Sequence, residues 1–458
     1  MAFTLGQVSG WLGTETLPNP ETPVTGVAID SRKIEPGMLF VAYPGDHADG
    51  HDFIAQAARA GACGALVRED WVAPQTLPDT FVLFRCQSVL ASLQNLARLY
   101  RQQFKFPVIA ITGTNGKTTT KEMLVAVLRQ KKGAQVAQTR GNLNNHLGVP
   151  LTLLNWPQSG DFGVLEMGMN HPGEIRELCV IAAPTHGVIT NVGEGHLEYM
   201  KNLQGVAKAK AELLDALSES GVGFVNGDDI NLKPYHQTAR ETVAFGFDSA
   251  NAFHGQVVSY DNLGCPLFSV EDQAIALGVP GSHNAMNALA VSAVARWFGY
   301  DWSLIRKGLE AFTGYTSRLS VRQQGPVWII DDTYNANPSS MRTAIQVLAS
   351  LKPVQRRVAI LGDMLELGSS SESAHRNLGE LIARSGIEVF IGVGEAMRFA
   401  VQAARQSETI QISHFDEQET CLNALPQWVE PGDGILVKGS RGMKMEKVVA
   451  AVQRLFEN

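Results

Sequence analysis

The chemistry of this chain is densest in Thr112-Gly-Thr-Asn-Gly-Lys-Thr-Thr119. Gly113 and Gly116 let backbone N–H groups approach an anion closely. A helix starting behind them adds the partial positive charge of its N-terminus. Lys117 can reach terminal phosphates, and the Thr118 or Thr119 hydroxyl can sit on Mg²⁺. Thr114 and Asn115 complete the turn. The spacing is shorter than G-x-x-x-x-G-K-[ST], because Ile111 stands five positions before Gly116. A plain glycine turn would need neither Lys nor Thr in this register, so the segment reads as a nucleotide phosphate cradle.

Other polar groups cluster where apolar runs end. Glu166 closes Phe162-Gly-Val-Leu-Glu166, and His196 follows two glycines in Val192-Gly-Glu-Gly-His196. Ligands of open α/β sheets bind beyond the carboxyl ends of strands, so these two are candidate Mg²⁺ ligands. A solvated strand-end Glu and a solvated loop His remain open readings. Lys208 and Lys210 share an amphipathic segment, and spacing singles out neither. Asn284 and Asn287 share a helical face and can pair with a purine edge, or the first can cap the helix. Asp331-Asp-Thr-Tyr-Asn-Ala-Asn-Pro338 reads as a polar site or as an elaborate cap. Lys438-Gly-Ser-Arg441 is a basic turn able to hold an anion.

These residues need rigid elements behind them. Pro107–Ile111 reads as a strand, and Lys121–Leu128 has apolar residues at helical spacing. Further strands are expected at 162–166, 186–191, 222–226, 327–331, 357–361, 388–391 and 434–437. Helices are expected at 53–60, 88–103, 339–351 and 372–385. Alternating strands and helices give an α/β layered fold. The 458 residues exceed one core, so about three domains are expected, with boundaries 1–86, 87–315 and 316–458. The formal net charge of −7 argues against nucleic acid as main partner. No run is long and apolar enough to span a membrane, and the N-terminus lacks a signal-like core, so a cytoplasmic protein is expected. The five cysteines lack C-x-x-C spacing, which fits reduced core thiols.

Taken together, these segments resemble the Mur ligase family of ATP-dependent peptide-forming enzymes. TGTNGKT, the Glu strand end, the Gly-His loop, the Ala209-Lys210 pair, H-N-x-x-N and the C-terminal Asp site stand in family order along nearly the whole chain. Within the family, four strings point to a member that adds a dipeptide: Gly141–Pro150, Glu166–Glu174, Asp331–Pro338 and Leu361–Gly368. Asp30-Ser-Arg-Lys33 and Asp49-Gly-His51 also match.

The resemblance implies a small N-terminal α/β domain, a central P-loop ATPase-like domain and a C-terminal Rossmann-like domain. It implies ATP as co-substrate, held by Gly113 to Thr119 with Asn284 and Asn287 at adenine. Arg318, Asp332, Tyr334 and Asn335 would reach the nucleotide from the third domain. Mg²⁺ would sit on Thr118, Glu166 and His196, with Lys117 and Lys210 also in the catalytic set and Lys210 N-carboxylated. Ser31 and Arg32 would lie by uridine, and Asn142, Asn144 and Asn145 by the sugar-linked substrate. The implied substrates are UDP-N-acetylmuramoyl-tripeptide and D-alanyl-D-alanine, joined through an acyl phosphate, and a monomer is expected. The alternatives are a family member adding one amino acid, folylpolyglutamate synthase, and a non-catalytic nucleotide switch.

Overall fold

The computed structural model describes residues 3–14, 17, 19–45, 48–195 and 197–457. It contains three main sheets and one short antiparallel pair, Phe3–Thr4 with Pro23–Val24. The first main sheet has four parallel strands in the order Val27–Ala28, Leu39–Val41, Gly64–Arg68 and Val82–Cys86.

The central sheet has nine strands. Its middle strand for function is Val108–Thr112, flanked in parallel by Phe162–Glu166 on one side and His186–Ile189 on the other. The chain first runs to the edge strand Val136–Gln138, returns to Phe162–Glu166 beside Val108–Thr112, then crosses to the opposite side. Val108–Thr112 is thus the topological switch point, where a crevice opens beyond the strand ends. Glycines and polar residues gather at those ends because the strands themselves are buried on both faces and hold mostly Val, Ile and Leu.

The far edge of this sheet differs from expectation. Residues 241–276 supply four further strands, the last two antiparallel. Phe253–Tyr260 is largely exposed, with Gly255 its only buried residue. It therefore lacks the apolar run that identified the buried strands. The strand expected to reach Asn191 ends at Ile189, and the phosphate-loop helix starts at Lys117.

The last sheet has six strands, with Ser320–Gln324 antiparallel to Val327–Asp332 and the rest parallel. The final strand, Asp433–Lys438, inserts between Val327–Asp332 and Arg356–Gly362. That register places Asp332 opposite Lys438 at the carboxyl end. The connection from the central sheet holds two non-glycine residues at positive φ, Ser317 at 61° and Leu319 at 49°. Each such residue costs roughly 1–2 kcal/mol. The strain is held by Leu319 N–H on the Asp332 carboxylate (3.0 Å) and by Tyr334 N–H on the Ser317 carbonyl (3.1 Å).

The helix Val89–Arg101 joins the first two sheets. Ser88 caps it, and Val89, Leu93, Leu96, Ala97 and Tyr100 face inward at helical spacing. One continuous apolar core runs from Phe3 and Val41 through this helix to Leu165 and Leu213. Tyr100 packs on Phe3 and Phe104 while its hydroxyl donates to the Trp156 carbonyl (2.7 Å). Arg101 closes the end of Glu174–Ala182, its guanidinium donating to the Ala182 and Ala183 carbonyls at 2.7 and 2.9 Å. The five cysteines are free thiols, three of them buried. Among the described residues no helix is long and apolar enough to cross a membrane.

Tyr100→Ala removes a large ring and a buried hydrogen bond at this junction. A loss of about 3–5 kcal/mol is expected, read as a lower midpoint in urea unfolding. A wild-type midpoint would show that the first two units do not depend on a common core.

Candidate functional site

A cleft of about 750 Å³ opens at the switch point and continues under the third sheet. Thr114 to Lys117 and Thr119 form one wall, with Asn144, Asn145, Glu166, Asn284 and Asn287 beside them. Arg318, Asp332, Tyr334 and Asn335 come from the third unit. Residues far apart in sequence therefore meet around one space large enough for a nucleotide.

The phosphate loop is shaped by close approach. A side chain at Gly116, which has φ 80°, would place Cβ 2.6 Å from Asn287 Oδ1. Added at Gly113, it would overlap the Thr190 hydroxyl. The loop main chain is tied to the neighbouring strand end. Asn115 N–H donates to Asn191 Oδ1 (3.0 Å), and its carbonyl accepts from the Thr190 hydroxyl (2.6 Å) and Asn191 Nδ2 (3.0 Å). Lys117 Nζ folds back onto the Gly113 and Thr114 carbonyls at 2.8 and 3.1 Å. Its pKa is lowered to about 8 by burial, with the Arg318 charge adding to the effect and Glu166 opposing it.

Glu166 is buried and fixed from both sides. The Thr118 hydroxyl donates to one carboxylate oxygen and Asn144 Nδ2 to the other, each at 2.8 Å. No lysine or arginine pairs with it among the described residues. Thr118 itself stands behind the cleft wall, as does Gly113. His196 lies outside the described residues. Among those described, no three His, Cys, Asp or Glu side chains gather as a metal cluster.

Lys210 is 2% exposed, on the helix Leu203–Asp215. No hydrogen bond or ion pair engages its amine among the described residues. Burial, with the nearby Lys117 charge, holds its pKa well below the ordinary 10.5. Lys208, which shares that helix, is exposed. The structure thus separates two lysines that spacing left equivalent.

The Asn pair does not cap its helix. Gly281 occupies the N-cap, while Asn284 Nδ2 donates to the Pro280 carbonyl (2.8 Å) and Asn287 Nδ2 to Asn284 Oδ1 (3.1 Å). Both asparagines are buried at the cleft wall. His283 stands beside them, its pKa pushed down to about 4 by burial and by Lys438.

In the third unit, Lys438 Nζ donates to Asp332 (2.6 Å) and to the Asn335 carbonyl (2.7 Å). The basic turn is therefore not a free anion holder at Lys438, because that charge is neutralised within the sheet. Burial raises the Asp332 pKa, and Lys438 opposes the shift. Arg318 lies 3.7 Å from the Tyr334 ring centroid, a cation–π contact. Its Nε is buried without a hydrogen-bond partner. Asn335 Oδ1 accepts from Arg441 N–H (3.3 Å).

Three expected substrate residues sit apart from the cleft. The Ser31 hydroxyl donates to Gln56 Oε1 (3.1 Å). Arg32 grips Asp30 through two bonds of 2.9 Å, holding that carboxyl down to about 2. Asn142 is exposed and does not border the cleft, whereas Asn145 does while accepting from Gly148 N–H (2.8 Å). Sequence reasoning missed Asn191 and Ser339, and it singled out neither His283 within H-N-x-x-N nor Asn337 within the polar stretch Asp331–Pro338. For Asn337 a signal was present, since Asn before Pro at a helix start is a cap signature.

Family models match three successive stretches. Residues 23–95 match the Mur ligase family catalytic domain, 111–295 the Mur ligase middle domain, and 317–441 the Mur ligase glutamate ligase domain. The UDP-N-acetylmuramoyl-tripeptide–D-alanyl-D-alanine ligase of Bacillus subtilis is 37% identical over 441 residues, covering 95% of each chain. A crystal structure of MurF from Acinetobacter baumannii has TM-score 0.88 at 31% identity, covering 99% of each chain. The MurF ligase of Thermotoga maritima, solved in complex with ADP, has TM-score 0.81 at 29% identity, covering 95% of this chain and 98% of that one. With its switch-point phosphate loop, its three units and these matches, the chain belongs to the Mur ligase family.

Proposed function

We propose that this chain joins D-alanyl-D-alanine to UDP-N-acetylmuramoyl-tripeptide at the expense of ATP, through an acyl phosphate. The observation that carries the reading is the single cleft in which the phosphate loop of the central sheet faces Arg318, Asp332 and Tyr334 of the third. The relatives named for this reaction align over nearly the full chain. Folylpolyglutamate synthase is the more distant reading, because E. coli FolC in complex with ADP is 16% identical and shares the fold alone.

The tripeptide carboxylate attacks the γ-phosphoryl group of ATP, forming a C–O–P bond and releasing ADP. The neutral amine of the dipeptide then attacks the acyl carbon, an amide C–N bond forms, and inorganic phosphate leaves with the electron pair of the broken C–O bond. The amine gives up a proton to solvent or a base. Each unit-charge contact at 4 Å costs roughly 4 kcal/mol at an effective dielectric of 20, so an anion approaching a polyanion needs several compensating charges. Lys117 moves from its carbonyl partners to phosphate oxygens. The loop N–H groups and Arg318 hold the remaining charge. Enclosure between the two sheets keeps water from the acyl phosphate.

Mg²⁺ fits the donors present: Glu166 is a buried carboxylate with no cationic partner among the described residues and with the Thr118 hydroxyl on it, and His196 lies beyond those residues. Bound there, the ion would neutralise phosphate charge and polarise the transferring group. Lys210 suits N-carboxylation. An amine whose pKa burial holds well below the ordinary value loses its proton more readily, and the neutral form can add to CO₂, losing a further proton and gaining a carboxylate. Asn284 and Asn287 present amide groups suited to adenine. The uridine end is assigned to the first unit near Ser31 and Arg32, and the sugar-linked end to Asn142, Asn144 and Asn145. We place the enzyme in the cytoplasm, as a monomer with domain boundaries at 1–86, 87–315 and 316–458.

The deciding experiment measures phosphate release and product mass across donor and acceptor pairs. Rapid turnover is expected with the tripeptide nucleotide plus D-alanyl-D-alanine. Single amino acids should be poorer by about 10⁴-fold, since they leave dipeptide-pairing groups unsatisfied. Preferential addition of one amino acid to a shorter donor would sink the reading. Lys117→Ala should lower turnover by about 10²–10³-fold while the far-UV spectrum stays unchanged. Wild-type rates in that folded variant would remove Lys117 from the catalytic set.

Lys210 yields a pH test. Its folded pKa lies well below 10.5, so between the two values the unfolded chain binds more protons and stability rises with pH. In bicarbonate-free buffer, Lys210→Met should therefore raise the melting temperature at neutral pH, with a gain that shrinks as pH nears 10.5. Turnover should be lost in the same variant. A gain independent of pH would show that burial does not lower the pKa of this amine.

A further inference from the structure

One set of hydrogen bonds crosses between the central and third units at the phosphate loop itself. Asn115 Nδ2 donates to Ser339 Oγ (2.8 Å), and Asn115 Oδ1 accepts from Asn337 Nδ2 (3.0 Å). Asn337 and Ser339 belong to the start of the helix Pro338–Ser350. The Asn337 oxygen is fully engaged there, accepting from Ser340 N–H (2.8 Å) and the Ser339 hydroxyl (2.9 Å). A capping box with Ser340 fixes its backbone. Capping therefore uses the oxygen and aims the amide NH₂ outward. That group meets the loop residue whose main chain is already tied to Asn191 and Thr190.

We propose that Asn337 and Ser339 are positioning residues that latch the third unit onto the phosphate loop through the Asn115 carboxamide, coupling domain closure to nucleotide binding. The inference rests on the ligase reading above only in taking ATP as the ligand. The backbone bonds of Asn115 stay inside the central unit, so they hold the loop whether or not the third unit is seated. Only its side chain reports the position of the other sheet. Gly193 lies against the same contact: a Cβ there would be 2.9 Å from Ser339 Oγ. Seating the helix start thus brings its N–H groups, the loop and the Gly193 turn to one point. Because the latch is neutral, it adds no charge to a cleft that receives a polyanion. It selects a geometry and leaves electrostatic attraction to the lysines and Arg318.

The test uses the full chain with Ser339→Ala, Asn337→Ser and Asn115→Ala. Serine caps a helix start as well as asparagine but is too short to reach Asn115, so Asn337→Ser keeps the helix. Small-angle scattering reads closure without ligand. Equilibrium binding of a non-hydrolysable ATP analogue with Mg²⁺ reads coupling. Losing two net hydrogen bonds should shift the closed-to-open ratio by about tenfold and weaken analogue binding by about as much. Asn115→Ala/Ser339→Ala should bind like Asn115→Ala alone, because Asn115→Ala already removes the contact with Ser339 as well as the one with Asn337. Multiplying effects, or scattering and binding unchanged in Asn337→Ser and Ser339→Ala, would overturn the latch. Neither readout depends on the amine substrate, so failure of D-alanyl-D-alanine as acceptor would leave the two conclusions separable. A purely structural role would lower melting temperature in all variants without the coupling between Asn115 and Ser339.

Discussion

Positive charge inside the cleft is kept from being cancelled by the protein's own carboxylates. Lys117 rests on two carbonyls and Arg318 on an aromatic ring. Partners of this kind hold a cation in place without neutralising it, so its field remains available to an incoming polyanion. Lys438 and Arg441 are exceptions, Arg441 lying 3.6 Å from the Glu446 carboxylate, and the pairing of Lys438 with Asp332 has a different result. It pins two parallel strand ends together and, through the second oxygen of Asp332, holds Leu319 in its strained conformation. The cleft thus separates cations that meet ligand from the one that fixes the connection between sheets.

This arrangement explains the placement of polar residues at strand ends. A carboxylate such as Glu166 in the body of a doubly covered strand would be buried without partners. At the end of its strand it meets Thr118 from the loop helix and Asn144 from a neighbouring turn. The same logic applies at Asp332, where the last strand of the chain returns to insert beside an earlier one and supplies the lysine.

Much of the α/β framework was legible because its buried strands are short apolar runs ended by glycine or polar residues. The phosphate loop was legible because a strand, two glycines, a lysine and a helix occur in fixed order. The antiparallel edge from 253 to 276 was not, since exposed or alternately buried strands lack that continuous apolar signature. The difference between Lys208 and Lys210 was also hidden. Helical periodicity sorts faces, but burial depends on what the rest of the chain lays over each face. Asn337 was visible as a cap and silent as a contact, because nothing local encodes which unit its second polar group will meet. The aligned relatives place the chain in its family; distances place these side chains around the cleft.

The apolar core shared by the first two sheets has a mechanical consequence. With Tyr100 and Arg101 anchoring the connecting helix in the central unit, the first sheet and the central sheet make one anvil. The third sheet, joined through the Ser317–Leu319 turn, is the single jaw. On the proposed function, a donor bound along the anvil lies at a fixed distance from the phosphate loop, and the third sheet alone is left to close on it.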